Sequence, residues 1–385
     1  MTLHKWNSNI KQLEGDLNPV SGENRPGHEE EYPTYAKMIN NTKENETKIL
    51  GLNWDKNNDT ISINFRAKEA NTNTITKINI LSYVHSIYDL LGLASPVTII
   101  GKVIFSKTCL LKLRWDEKVP VDIAQSWIKF VEQLKKYPVM VFPRYIMSDQ
   151  ATHTEMHGFS DASITAICAM VYIVSFENKD IKHFLLVSKC RVAPKETSVP
   201  RLELIGALML SKLMKHCEDN LKNLNFSRKV AWTDSTTVLC WLQSKGTYSR
   251  YVRNRVEKIK ETPLDWNYVP TKDNPADIGS RGCYPNKITD NWFNGPDWIG
   301  FRENWPEQPH ISDTVEAKTE MVKQKDKEII MIEVASDIDH GPLHFLLDKP
   351  YIKRLRITAY VYRFIRSERG DRLIRTEEME NSEHF

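Results

Sequence analysis

Residues 230–244, VAWTDSTTVLCWLQS, put a carboxylate at the end of a short apolar run, then three hydroxyl side chains and a helix-like apolar pattern. KVAWTDS predicts a strand and TTVLCWLQS a helix, with Asp234 and Ser235 at the junction. Asp234 has two readings. It or Ser235 can be an N-cap, because Asp, Ser and Thr accept bonds from the free N–H groups of a helix start. Alternatively it is a functional carboxylate at the carboxyl end of a strand, where open α/β sheets gather their sites. The stretch alone leaves both open.

On either side the texture is that of a sheet. HTEMHGFSDAS and ITAICAMVYIVSF predict two strands with a turn at Asp161 to Ser163, and HFLLVSKCRV (183–192) a third. VPRLELIGALMLSKLMKHCEDNL (199–221) predicts a long helix, YVRNRVEKIKE (251–261) a basic helix, and DWNYVP (265–270) a fifth strand. Three consecutive strands followed by alternation with helices predict a mixed α/β sheet of roughly 130 residues. Upstream, residues 48–65 predict two short strands around an Asn/Asp turn. Residues 78–115 predict two helices broken near Gly92 to Pro96, and 121–137 a third helix. Residues 1–47 are polar and interrupted by Pro and Gly, as in loop or disorder. Beyond about residue 300, EAKTEMVKQKDKE predicts a linker, and YIKRLRITAYVYRFIRSERG (351–370) is basic and amphipathic, suiting a partner helix or a solvated face.

The bulk numbers exclude little. The chain has 385 residues, 41% hydrophobic and 27% charged, with a net charge of +3, too small to argue nucleic-acid binding without local clustering. No run is long and apolar enough for a membrane span, and MTLHKWNSN lacks a signal core, so neither insertion nor secretion is expected. The six cysteines form no C-x-x-C pair and are expected as buried free thiols.

Four acids fall at matching positions of this sheet. Asp161 ends the first strand, Glu203 lies in the first turns of the long helix, Asp234 ends the fourth strand, and Asp277 follows the fifth in NPADIGSRG. Four unpartnered carboxylates at one sheet edge would repel one another. A divalent cation removes that cost, and all-oxygen donors favour Mg²⁺ or Mn²⁺ over zinc. Two such ions about 4 Å apart would hold the attacking and leaving oxygens of a phosphodiester.

The ordered set SDAS, RLEL, TDSTTV and NPADIGSR resembles the ribonuclease H domain of reverse-transcribing elements, in particular the BEL/Pao class of long-terminal-repeat retrotransposons. The upstream LHKWNSN, ILGLNWD, ILSYVHSIYDLLGLASPVTIIGK and LRWDE resemble the end of the palm and the thumb or connection of a Pao-type reverse transcriptase. The resemblance implies an α/β, ribonuclease H-like mixed five-stranded sheet with flanking helices over 150–285, preceded by a mostly helical thumb- or connection-like region over 48–145. A linker over 286–345 and a basic tail over 346–385 would precede an integrase. It implies Asp161, Glu203, Asp234 and Asp277 as ligands of two Mg²⁺ or Mn²⁺ ions, with Ser235 orienting Asp234. The substrate would be an RNA–DNA hybrid, and other parts of a retroelement polyprotein would be partners. The setting would be intracellular, in a cytoplasmic virus-like particle or the nucleus. No membrane partner and no small-molecule cofactor are implied.

Arg250, Arg253, Arg255 and Lys258 put charge on one helix suited to a hybrid backbone, although a solvated face fits equally. Arg281 suits a phosphate contact or a structural role, and Trp232, Trp241 and Trp266 are expected in the core. The sequence also departs from the pattern. The loop before the last aspartate, VPTKDNP, has no histidine, and neither Y-x-D-D nor D-[ST]-G occurs, so neither DNA synthesis nor proteolysis is expected. His153/His157 and His340/His344 lack the H-E-x-x-H pattern of zinc sites. An inactive remnant or a nucleic-acid-binding module is the alternative to a nuclease.

Overall fold

Period-two alternation in TISIN buries Ile61 and Ile63, and this hairpin opens the structure. The computed structural model describes residues 46–321 except positions 50, 67–73, 148–149, 179, 245 and 313. The polar segment before residue 46 and the basic tail with His340 and His344 lie outside the described residues. Strands β1 (Glu46–Ile49), β2 (Leu52–Asp55) and β3 (Thr60–Asn64) form an antiparallel meander. Three helices follow: α1 (Lys77–Ser86), α2 (Ser95–Leu110) and α3 (Val121–Lys136). Thr76 and Asn79 close a reciprocal capping box on α1, and α3 buries Ile123, Trp127, Phe130, Val131 and Leu134 along one stripe. The chain then returns as β4 (Val139–Pro143), pairing antiparallel with β3. The sequence reading passed over β4, because most of VMVFP stays partly or fully exposed and only Phe142 is buried.

The second sheet has the five strands expected, in the order β7-β6-β5-β8-β9. They are β5 (His153–Ala162), β6 (Ala166–Phe176), β7 (Ile181–Val192), β8 (Phe226–Thr233) and β9 (Asp265–Tyr268). β5, β6 and β7 are antiparallel neighbours, whereas β8 runs parallel to β5 and β9 parallel to β8. The flanking helices are α4 (Val199–Asn220), α5 (Thr236–Gln243), α6 (Arg250–Lys260) and α7 (Ala276–Arg281).

β6 is buried on both faces, and its alternation assigns each face a core. Ile167, Ala169 and Val171 pack under α4 with Leu202, Leu210 and Met214. Cys168, Met170, Tyr172 and Val174 belong to a cluster that runs on through Trp232 into Val97, Trp127 and Phe130 of the helical region. Residues 46–321 therefore share a core. The seam is tight: Ser188 N donates to Leu91 O at 2.9 Å and Cys283 N to Pro96 O at 3.0 Å. Gly92 there has φ +72°, and a Cβ on it would lie 2.0 Å from Ser188 O.

Residues 286–321, expected as the start of a linker, are packed instead. They include α8 (Asp290–Asn294) and α9 (Val315–Thr319), and Trp292 and Ile299 are fully buried. Trp292 Nε1 donates to Leu93 O at 2.9 Å and Tyr172 OH to Trp292 O at 2.9 Å, so aromatic anchors outweigh a charge-rich composition here. At the outer edge of the sheet the Gln308 carboxamide meets β9, accepting from Tyr268 N at 2.7 Å and donating to Tyr268 O at 3.1 Å. Trp232 and Trp241 lie in the core as expected, while Trp266 is half-buried. Four of the six cysteines are buried, Cys283 is half-buried and Cys109 exposed, all of them free thiols. No described helix is long and apolar enough to cross a membrane.

Candidate active site

The register of the two central strands sets the site. Ser160 of β5 lies opposite Thr233 of β8 in a parallel pair. The next residues, Asp161 and Asp234, therefore leave neighbouring strands side by side at their carboxyl ends. Ser235 begins α5 as its N-cap, accepting from Val238 N at 3.2 Å. The cap reading holds for Ser235, whose hydroxyl, expected to orient Asp234, is turned instead to Glu203 and the helix start, while Asp234 stands at the carboxyl end of β8.

Glu203 reaches the same edge from the second turn of α4, where it accepts a short bond from Ser235 Oγ. One turn later, a Cβ on Gly206 would lie 3.5 Å from Asp161 O, which measures how closely α4 passes the end of β5. Asp277 stands in α7, pinned to β6 because a Cβ at Gly279 would meet Cys168 Sγ at 2.3 Å. Asn274 bridges the edge, donating to Ser160 O at 3.1 Å and to Asp234 Oδ1 at 3.4 Å.

The electrostatics show the acids converging. Burial pushes Asp161 up to about 6; the Ser280 bond opposes this, and Asp234 and Asp277 add to it. Burial likewise pushes Glu203 up to about 7, against the Ser235 bond and with help from Asp234, Asp161 and Glu316. Asp234 is raised too, by burial first, against bonds from Thr271 and Asn274 and with Asp277 adding. Asp161 and Asp234 thus form the middle of the group, with Glu203 on one side and Asp277 on the other.

The donor set is all carboxylate oxygen, which suits a hard divalent cation. The oxygens are meanwhile turned to local donors. Ser280 Oγ bonds Asp161, Thr271 Oγ1 donates to Asp234 Oδ2 at 2.9 Å, and Arg281 Nε pairs with Asp277 Oδ1 at 2.7 Å. Accordingly, no three His, Cys, Asp or Glu side chains among the described residues stand ready to grip an ion. Like charges without a cation satisfy themselves on hydroxyls and guanidinium. In donor chemistry the four acids suit such an ion; as placed, they form no ligand cluster.

Of the basic candidates, Arg250, Arg253 and Lys258 are exposed on α6. Arg255 lies over the Tyr251 ring at 3.5 Å and donates to Tyr251 O at 2.9 Å, and Arg281 is taken up by Asp277. His157 is fully buried between Glu155 at 3.0 Å and Trp232 Nε1 at 3.2 Å. Sequence reasoning missed Thr271, Asn274, Ser280, Glu316 and Arg201 around the acids. Two quoted motifs carried a local signal for some of them: RLEL contains Arg201, and NPADIGSR contains Asn274 and Ser280.

Residues 76–235 match the model of the Pao retrotransposon-like RNaseH-like domain. This segment is similar to the Pao-type domain. The match spans α1 to α3 and strands β4 to β8, and it contains Asp161, Glu203 and Asp234, whereas β9 and Asp277 lie beyond it. Comparison with curated proteins gives no match. Among solved structures, the chain is similar to a foamy viral protease-reverse transcriptase in complex with double-stranded DNA, at 9% identity and a TM-score of 0.37. That likeness covers 59% of this chain and 38% of the viral protein's length. It is also similar to RNase H1 from Halobacterium salinarum, at 10% identity and a TM-score of 0.20, over 36% of this chain and 96% of the other.

Proposed function

We propose that this chain is a ribonuclease H-type endonuclease of retrotransposon origin that hydrolyses RNA in RNA–DNA hybrids inside the cell. The observation that carries the proposal is the placement of four carboxylates at one sheet edge: Asp161 and Asp234 at the ends of adjacent parallel strands, Glu203 bonded by Ser235, and Asp277 linked to Asp161 through Ser280. Asp161, Glu203, Asp234 and Asp277 would hold Mg²⁺ or Mn²⁺. Two such ions, when bound, supply charge at the scissile phosphate and a water of lowered pKa.

The protein's own residues do the positioning. Asn274 and Thr271 fix Asp234, Ser280 fixes Asp161, and Ser235 fixes Glu203. Arg250, Arg253 and Lys258 offer charge to a hybrid backbone, and Arg281 joins them once Asp277 turns to an ion. Without a Y-x-D-D motif, polymerisation is no part of the proposal.

The test uses the full 385-residue chain with a labelled hybrid and Mg²⁺. Metal-dependent cleavage is expected, reduced at least about a hundredfold in Asp234→Asn, in line with the several kcal/mol that metal charge stabilisation provides. Equal cleavage by wild type and variant would overturn the proposal. A second reading, a module that binds nucleic acid without cutting it, is favoured by the acids being engaged with local donors. It predicts salt-sensitive hybrid binding and no cleavage at any Mg²⁺ or Mn²⁺ concentration.

A further inference from the structure

A second cluster lies on the first turns of α4 and α6. Arg201 Nε and Nη2 donate to the two oxygens of Glu320 at 2.5 and 3.0 Å, and Ser249 Oγ donates to the same carboxylate at 2.6 Å. The guanidinium groups of Arg201 and Arg255 lie 4.7 and 3.5 Å from the centroid of the Tyr251 ring, which holds both in place. A forked guanidinium held on a ring, with a hydroxyl beside it, suits an oxyanion with two equivalent oxygens.

The occupant comes from the chain's own late segment. Glu320 follows α9, which is anchored by Ala317 in the core, by a Thr314–Thr237 hydroxyl contact of 3.0 Å, and by Ser249 N donating to Glu320 O at 2.7 Å. A phosphodiester has the same charge and the same paired oxygens as this carboxylate. α9, which leads into Glu320, meets the first turn of α5 through Thr314 and Thr237, beside the Ser235 that bonds Glu203, so the cluster borders the acid edge.

We propose that Arg201 and Ser249 form a backbone-phosphate site for the nucleic-acid substrate, and that Glu320 fills it in the free chain. The inference rests on the nucleic-acid reading above and names a contact of that same site. Glu320 then competes with substrate, whereas in a merely structural ion pair it would only fasten the end of the segment.

The experiment is fluorescence anisotropy of a fluorescein-labelled RNA–DNA hybrid with the full chain in EDTA, across a series of salt concentrations. Glu320→Gln and Glu320→Ala are expected to tighten binding about tenfold at low salt and to steepen the salt dependence by about one phosphate contact. Adding Arg201→Ala to either variant is expected to cancel the gain. Glu320→Gln keeps the hydrogen-bonding shape, so it gives the answer if thermal melting shows Glu320→Ala to be poorly folded. Variants that bind like wild type, or a gain that survives loss of Arg201, would overturn this site and leave the nucleic-acid reading standing. Absence of hybrid binding by wild type and every variant would overturn both.

Discussion

Ser235 serves two neighbours with one hydroxyl, accepting from Val238 N to start α5 and donating to Glu203. Ser235→Ala is therefore expected to cost about 1 kcal/mol as a lost cap, read from urea unfolding. It also removes the bond that holds Glu203 down, so Glu203 titrates higher in the variant, measurable by carboxyl NMR. The acids make the metal-free chain pH-sensitive with a definite sign. In the folded state Asp161 takes up its proton near 6 and Glu203 near 7, against 3.8 and 4.5 as ordinary values. Over that window the folded state binds more protons than the unfolded one, so stability rises as pH falls. The gain is complete below about pH 4 and lost as pH climbs through 7. In EDTA, the urea midpoint of wild type is expected to gain on that of Asp161→Asn/Glu203→Gln as pH drops from 8 to 5.5. A constant difference would show that these two groups ionise normally in the fold.

At the scale of elements, β8 carries the fold as well as the site. Trp232 is fully buried and packs against Phe159, Trp298 and Trp305. Trp232→Ala is expected to cost about 3–5 kcal/mol by leaving a cavity in a packed core, read from denaturant unfolding. The sheet was legible in the sequence because its strands alternate or run apolar between turn residues. Asp161 and Asp234 were legible because strand ends are where a carboxylate needs a reason. The hydroxyls of Thr271 and Ser280 were not, since such residues are common in loops and only folding brings them to the acids. β4 was missed because its pairing depends on β3, far earlier in the chain. α9 was missed because one buried residue, Ala317, gives no periodicity to read in EAKTE.

For the whole molecule, the shared core means that the sheet and the preceding helices stabilise one another. The family match, residues 76–235, takes in the three helices and strands β4 to β8 of that core. Gly92 is the sensitive point of the seam, since its positive φ and the nearness of Ser188 O both exclude a side chain. Gly92→Ala is expected to lower the melting temperature of the full chain by several degrees, as one or two kcal/mol would in a protein of this size. Circular dichroism at helix and strand wavelengths should move together; a loss confined to the helical signal would mean that the seam is dispensable.

The carboxamide of Gln308 covers the outer flank of β9 at Tyr268 with a pair of hydrogen bonds. An uncovered flank is a template on which another molecule's strand can continue the ladder. One amide side chain thus occupies, at Tyr268, the backbone groups that a sixth strand would need there.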